Sequence, residues 1–115
     1  MTVDTKSILE NSVKEFAQYL EGKIPPKKYF DLEDDNEVSI DSPANALISN
    51  ALDYTVKVRR GGRLANFEIT VTLGGPNIWC DREFVYGVWA GTKFQMSYED
   101  KIGLFGAMEK INHKR

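Results

Sequence analysis

Few residues in this chain have the types and spacing that catalysis requires. The sequence contains one cysteine, Cys80, and one histidine, His113. His113 falls in the last turn of a predicted helix, where helix ends fray, and this argues against a catalytic triad or a histidine metal site. Cys80 falls on the apolar side of a predicted strand, where a thiol behaves as a small hydrophobe. The sequence also lacks Cys/His zinc spacing, so it predicts no enzyme activity, no metal and no cofactor.

The glycine-rich stretch in TLGGPNIWC is a second candidate for chemistry. A phosphate-binding loop leads into a helix N-terminus, whose free N–H groups hold the anion. Here Gly74-Gly75-Pro76-Asn77 leads into a strand instead. We therefore predict a four-residue hairpin loop, in which glycine allows positive φ and proline fixes φ. The motif then positions Trp79, the aromatic residue that follows it.

An acidic segment provides the next candidate. Its five carboxylates are Asp31, Glu33, Asp34, Asp35 and Glu37. The simplest interpretation is a solvated loop, because runs of charge usually lie at the surface. Two functional interpretations are a cation site and a mimic of nucleic-acid phosphates. A dedicated calcium loop is disfavoured, since the glycine and the terminal glutamate of that motif are missing.

The basic residues form two small groups. One surrounds the Gly61-Gly62 pair and the other lies at the end of the sequence: Arg59, Arg60 and Arg63, then Lys110, Lys114 and Arg115. Solvated tips are the simplest interpretation. Together with Trp79 and Tyr86 they could instead form a single-stranded nucleic-acid surface, in which aromatic rings stack on bases. The formal net charge of −2 opposes that alternative, because nucleic-acid binders are usually basic.

Composition indicates one soluble domain. Hydrophobic residues make up 42% and charged residues 28% of the 115 residues, so the chain can bury a core and is far from the composition of disordered proteins. We expect a single α+β domain over residues 1–115. A signal-peptide pattern and an apolar run of membrane-spanning length are both absent from the sequence. We therefore expect a cytoplasmic protein that does not bind membranes.

Three segments have helical periodicity. The first covers residues 4–20, with an apolar face made by Ile8, Leu9, Val13, Phe16, Ala17 and Leu20. The second begins at Pro43, capped by Ser42 or Asp41, and ends near Leu52. The last runs from about Tyr98 to His113, with Ser97 as its cap. Gly103 and Gly106 in this helix suggest close packing on a sheet.

From Tyr54 onward the apolar residues alternate with polar ones, which predicts strands. Turn lengths then set the registers. The predicted opposing pairs are Arg60–Arg63, Val56–Phe67, Tyr54–Ile69, Leu73–Ile78, Val71–Cys80, Trp79–Tyr86, Cys80–Val85, Trp89–Thr92, Val85–Met96 and Gly87–Phe94. The fold class is therefore α+β: an antiparallel meander of about five strands with two N-terminal helices and one C-terminal helix.

This register separates the two faces of the sheet. The inner face is apolar and forms the core: Val56, Phe67, Ile69, Val71, Leu73, Ile78, Cys80, Val85, Trp89, Phe94 and Met96. The outer face carries Trp79, Phe84, Tyr86 and Val88 among polar residues. These aromatic residues either reinforce the sheet, or lie beneath the first helix, or form an exposed binding patch. An exposed patch would also suit a homodimer.

The segment FEITVTLGGPNIWCD, followed by FVYGVWAGTKFQMSYE, resembles a strand–GGP–strand–strand pattern in small accessory proteins of phages and other mobile elements. The matching features are the alternation from Phe67 to Leu73, Gly74-Gly75-Pro76, Trp79 and the aromatic strand ending at Trp89. The resemblance covers residues 64 to 96. Some such proteins inhibit host defence by binding an effector, as anti-CRISPR proteins do.

The resemblance therefore implies a non-enzymatic protein that binds a host nuclease or defence complex. The residues expected to bind this protein partner are Trp79, Phe84, Tyr86 and Val88 of the outer face and the five carboxylates of the acidic segment. Single-stranded nucleic-acid binding and small-molecule binding between sheet and helices are the alternatives.

Overall fold

The computed structural model describes residues 5–30, 42–72 and 76–113, with the backbone only at residue 113. Its elements in chain order are α1 (Thr5–Leu20), α2 (Pro26–Tyr29), α3 (Pro43–Asn50), β1 (Asp53–Val58), β2 (Leu64–Thr72), β3 (Asn77–Cys80), β4 (Phe84–Trp89), β5 (Thr92–Ser97) and α4 (Leu104–His113). The strands form one antiparallel sheet in the order β1-β2-β3-β4-β5, which confirms the α+β meander. The acidic residues 31–37, Leu73, Gly74-Gly75, Lys114 and Arg115 lie outside the described residues.

Helix α1 provides the largest helical share of the core. Its buried residues are Leu9, Val13, Phe16, Ala17, Tyr19 and Leu20. The helix ends in a Schellman motif, in which the Lys23 N–H donates to the Gln18 carbonyl at 2.9 Å and the Gly22 N–H donates to the Tyr19 carbonyl at 3.0 Å. These two bonds satisfy carbonyl groups that a helix end leaves unpaired.

Helix α1 packs against the inner face of the sheet at Gly87. A Cβ atom placed on Gly87 would lie 2.6 Å from Val13 Cγ2, 2.8 Å from Leu9 Cδ1 and 3.1 Å from Ile78 Cδ1. The missing side chain therefore lets the helix approach the backbone of β4 closely. This contact places α1 on the inner face, so the expectation that the first helix might cover Trp79 was wrong.

Two shorter helices, α2 and α3, contact α1. Ser42 caps α3 as predicted, since its hydroxyl accepts from the Asn45 N–H at 3.1 Å. The Tyr19 hydroxyl donates to the Pro43 carbonyl and so joins α1 to the start of α3.

Helix α2 was not predicted, because the segment that contains it has the prolines typical of turns. The ring of Tyr29 in α2 stacks on the ring of Phe16 in α1, and the two ring centroids are 5.8 Å apart.

The last helix differs from the prediction. It begins at Leu104 rather than near Tyr98, and Ser97 belongs to β5 instead of capping a helix. The Asp100 carboxylate is the cap: it accepts from the Leu104 N–H at 2.9 Å and from the Phe105 N–H at 3.0 Å. Gly103 has a φ of +73°, which L side chains rarely adopt, and this explains the glycine before the helix.

Close packing explains neither Gly103 nor Gly106. A Cβ atom built at either position would meet no heavy atom within 4 Å. Helix α4 instead reaches the sheet through its large side chains. The ring of Phe105 lies 6.5 Å from the ring of Phe67 on the inner face of β2, and Leu104 and Met108 are fully buried.

Most of the predicted registers are confirmed. The structure pairs Tyr54 with Ile69, Val56 with Phe67, Trp79 with Tyr86, Cys80 with Val85, Gly87 with Phe94, Val85 with Met96 and Trp89 with Thr92. The predicted pair Arg60–Arg63 was wrong, because an irregularity after Lys57 shifts the register and pairs Val58 with Leu64. The turn is consequently closed by Arg59, whose N–H donates to the Arg63 carbonyl at 2.7 Å.

The register between β2 and β3 also needs correction. The structure pairs Ile69 with Cys80, Thr70 with Trp79 and Thr72 with Ile78, in place of the predicted Val71–Cys80 and Leu73–Ile78. A bulge lies at Val71, which has no partner and separates the two parts of the ladder. Before the bulge, each residue of β3 pairs with the β2 residue two positions earlier than predicted. Because side chains alternate between faces, a shift of two residues leaves each of them on its predicted face.

The inner face is a core, as predicted. Phe67, Ile69, Ile78, Cys80 and Val85 are at most 2% exposed, and the other described residues of the predicted set pack against them. Within the described parts of the chain, no helix is both long and apolar enough to cross a membrane.

Candidate functional site

The outer face of the sheet carries a stacked pair of aromatic rings. Trp79 on β3 lies directly opposite Tyr86 on β4, and their ring centroids are 5.4 Å apart at an interplanar angle of 15°. Phe84 extends the row, with its centroid 6.0 Å from that of Tyr86. Alternation along each strand places these rings on the same face. Cross-strand contact between them stabilises the sheet and also fixes the orientation of each ring.

The Asp81 carboxylate holds this row in place. Its Oδ2 accepts from the Tyr86 hydroxyl at 2.7 Å, while its Oδ1 accepts from the N–H groups of Glu83 and Phe84, each at 2.8 Å. One side chain therefore closes the β3–β4 turn and anchors the neighbouring phenol. Burial of the phenol, and then its bond to Asp81 and the negative charge there, raise the pKa of Tyr86 to about 12. Tyr86 is consequently a neutral donor at physiological pH.

Beside the aromatic pair lies an open groove of about 320 Å³. Trp79, Tyr86 and Val88 line its apolar part, and the exposed side chains of Lys93 and Gln95 on β5 line its polar part. An aromatic floor beside exposed polar groups is the composition of binding hot spots, where apolar anchors lie within a polar rim.

The helices leave this face accessible. Helices α1 and α4 pack on the inner face, through Gly87 and Phe67 respectively. Trp79, Phe84, Tyr86 and Val88 are half-buried, and they belong neither to the buried cluster nor to the side chains packed against it. Their burial therefore comes largely from one another and from the sheet.

Of the two candidate catalytic residues, Cys80 is buried and the side chain of His113 is not described. Cys80 is 0% exposed on the inner face, as predicted, and burial raises the pKa of its thiol far above the usual range. The side chain of His113 lies outside the described residues. Within residues 5–30, 42–72 and 76–112, no three side chains of His, Cys, Asp or Glu come together in a way that could hold a metal ion.

The structure separates the arginines from the aromatic pair. Arg59, Arg60 and Arg63 are exposed at the end of the β1–β2 hairpin. Thr70, which lies opposite Trp79, is seven residues along β2 from Arg63, and this distance is roughly 20 Å at 3.3 Å per residue. The predicted nucleic-acid surface would have to span that distance to use both groups.

The sequence did not indicate which residues line a cleft that the structure contains between the sheet and the helices. It has a volume of about 490 Å³, and its walls include Ser12 and Glu15 of α1, Tyr29 of α2, and Thr72 and Ile78 of the sheet. Burial, followed by the charge of Glu15, raises the pKa of Tyr29 above its usual value. Two adjacent aromatic residues, Tyr29 and Phe30, could have indicated this cleft, because a segment made only of turns does not need them. This cleft is where small-molecule binding between sheet and helices would occur.

Searches of protein-family models, of curated proteins and of solved structures found no match to this chain.

Proposed function

We propose that this is a non-enzymatic binding protein whose outer sheet face docks a partner protein. The observation that supports this proposal is the Trp79–Tyr86 stack, which the main helices leave uncovered. A sheet of this size needs only one apolar face for its core. The aromatic row on the second face exceeds that requirement, and tryptophan and tyrosine are the residues most enriched in hot spots of interfaces.

The shape of the surface favours a protein over a small molecule. Trp79, Tyr86 and Phe84 form a row across two strands, and the groove beside them is open. Small-molecule sites are usually concave and enclose most of the ligand. A protein surface can instead cover the whole row together with Lys93 and Gln95 at its margin.

The contacts that the two rings make within the protein support the same proposal. The bond from Tyr86 to Asp81 and the stack on Trp79 restrict both rings before any partner arrives. Binding then costs less side-chain entropy than it would for freely rotating rings. Rigid aromatic anchors of this kind are typical of preorganised interfaces.

The resemblance to accessory proteins of phages and mobile elements selects the first class of partner to test. We propose a host nuclease or another component of a defence complex as that partner. The acidic residues 31–37 were expected to contribute to the same interaction. They lie outside the described residues, so the proposal depends on the outer face alone.

A capture experiment with matched variants tests the proposal. Immobilised wild-type protein, Trp79→Ala and Leu52→Ala are exposed to lysate of a candidate host and to purified defence nucleases. Leu52 is 58% exposed and precedes β1, so Leu52→Ala removes an exposed apolar side chain that is not part of the aromatic row. Circular dichroism and thermal melting first establish that all three proteins are folded.

We expect a specific partner to be retained by the wild type and by Leu52→Ala but lost by Trp79→Ala. A purified complex should weaken at least tenfold on Trp79→Ala, as expected for a hot-spot residue. Equal capture by all three proteins would show that the outer face is not the docking surface.

A further inference from the structure

The part of the β1–β2 hairpin nearest its turn is positively charged, between Asp53 and Glu68. Residues 54–67 contain Lys57, Arg59, Arg60 and Arg63 and no acidic residue, although the whole chain has a formal net charge of −2. The remainder of the chain is therefore strongly acidic. A protein that segregates charge in this way has a local attraction for anions that its net charge does not reveal.

The charge is presented on a protruding turn, which we name the arginine tip and define as residues 58–63. All six of these residues are exposed. The Arg59 N–H donates to the Arg63 carbonyl at 2.7 Å, and the Gly62 N–H donates to the Arg59 carbonyl at 2.9 Å. Gly61 and Gly62 both have positive φ, which only glycine adopts readily, so the turn closes tightly. The backbone of the tip is consequently well defined while its side chains face solvent.

The arginine tip is also braced from the body of the protein. The Asn112 side-chain amide of α4 donates to the Gly62 carbonyl at 2.8 Å. Nearby, the Arg82 guanidinium donates to the Ala65 carbonyl at 3.5 Å and lies 4.3 Å above the ring of Phe105. These contacts hold the end of the hairpin against α4, so less ordering is needed when the tip binds.

Its arginines have no competing partner within the described residues. The ion pairs there join Lys23 to Glu21 and Lys101 to Glu99, and neither involves the arginine tip. As far as the described residues go, the guanidinium donors of Arg59, Arg60 and Arg63 are therefore available to an external ligand. Guanidinium groups bind phosphate through two parallel hydrogen bonds, which makes arginine the preferred residue for phosphate recognition.

We propose that the arginine tip binds the phosphate backbone of nucleic acid. Three arginines on one short ribbon match the repeated charge of a polyphosphate strand better than they match a single small anion. The ribbon also has the width that the major groove of a duplex admits. This activity is separate from protein docking on the outer face, since the arginine tip lies roughly 20 Å along β2 from the Trp79 position. Contacts of this kind are independent of nucleotide sequence.

The test measures binding of the purified protein to two fluorescent oligonucleotides, a 20-nucleotide single strand and a 20-base-pair duplex. Anisotropy is followed at increasing salt concentrations from 20 mM upward. The test variant is Arg59→Ala/Arg60→Ala/Arg63→Ala. The matched control is Lys14→Ala/Lys23→Ala/Lys28→Ala, which removes the same charge from exposed positions on and near α1 and α2. A third variant, Trp79→Ala, reports whether the outer face takes part.

We expect wild-type binding in the range typical of non-specific complexes, about 10⁻⁶ to 10⁻⁴ M, and a steep loss of affinity with salt. The arginine variant should bind at least tenfold more weakly and show a shallower salt dependence, by up to about 2.7 in the slope of log K against log salt. The lysine control and Trp79→Ala should change affinity less than threefold. A preference for one oligonucleotide identifies the form of nucleic acid that the tip binds.

Two results would overturn the proposal. One is the absence of binding to both oligonucleotides at 20 mM salt. The other is an equal loss in the arginine variant and the lysine control, because net charge alone would then explain the attraction. Neither result bears on protein docking, which is measured by capture on Trp79→Ala. The two proposals can therefore fail independently.

Discussion

The two faces of the sheet use aromatic and apolar residues in different ways. On the inner face, Phe67 is 1% exposed and the backbone at Gly87 is in direct contact with α1. On the outer face, Trp79 and Tyr86 are half-buried and contact mainly each other. The inner face is thus the side of the sheet that packs against the helices and forms the core. The outer face is an aromatic surface on which α1 and α4 do not pack.

Replacing a phenylalanine by alanine on each face should give the largest difference in the free energy of unfolding. Phe67→Ala removes a buried ring next to Phe105 and should destabilise the protein by about 3–5 kcal/mol. Phe84→Ala removes a half-buried ring on the outer face and should cost about 1 kcal/mol or less. Urea unfolding monitored by circular dichroism measures both free energies. Equal losses would mean that the outer face is packed like an interior.

Replacing glycine by alanine compares a tightly packed position on the inner face, Gly87, with an open position on α4, Gly106. Gly87→Ala forces a Cβ to within 2.6–2.8 Å of Val13 and Leu9, so it should destabilise the protein by about 1–3 kcal/mol. Gly106→Ala places its Cβ in open space within α4 and should stabilise the protein by about 0.5–1 kcal/mol. Melting temperatures of the two variants should therefore shift in opposite directions. A neutral Gly87→Ala would contradict the close approach of α1.

A smaller effect is expected at the carboxylate that supports the outer face. Asp81→Asn weakens the bonds from Tyr86, Glu83 and Phe84 and should cost about 1 kcal/mol. It should also lower the pKa of Tyr86 from about 12 towards 10, because the charge and the acceptor of Asp81 help to raise it. Ultraviolet titration of the wild type, Asp81→Asn and Tyr86→Phe isolates this phenol.

The sign of the accompanying pH dependence follows from the raised pKa. The folded protein holds the Tyr86 proton more tightly than the unfolded chain does, so its contribution to stability is complete below pH 10 and is lost as the pH rises towards 12. The difference in stability between wild type and Tyr86→Phe should shrink over that interval. A difference that stays constant from pH 9 to pH 12 would exclude the coupling.

The sequence predicted the registers among β3, β4 and β5 correctly. The Ala90-Gly91 and Arg82-Glu83 turns leave one way to align β3, β4 and β5, and those pairs are confirmed. The longer connection between β2 and β3 does not restrict the alignment in that way. The bulge at Val71 then absorbs a residue, which alternation alone does not reveal.

Other features depended on tertiary contacts that no local pattern contains. Asp100 has the spacing of a capping box after Ser97, and the same carboxylate instead caps the helix that begins at Leu104. The apolar stripe of α1 does not by itself state which strands it covers, and the close contact with Gly87 on the inner face becomes visible only in the structure. The bond between Asp81 and Tyr86 depends on how the intervening turn closes.

Acrylamide quenching of Trp79 is the most direct test of the central claim that the outer face is free in the isolated protein and covered in the complex. The variant Trp89→Phe leaves Trp79 as the only tryptophan, since the sequence contains two. We predict efficient quenching of the free protein, and reduced quenching with a blue-shifted emission once the captured partner is bound. Quenching that is already low in the free protein, or that does not change on binding, would contradict the claim.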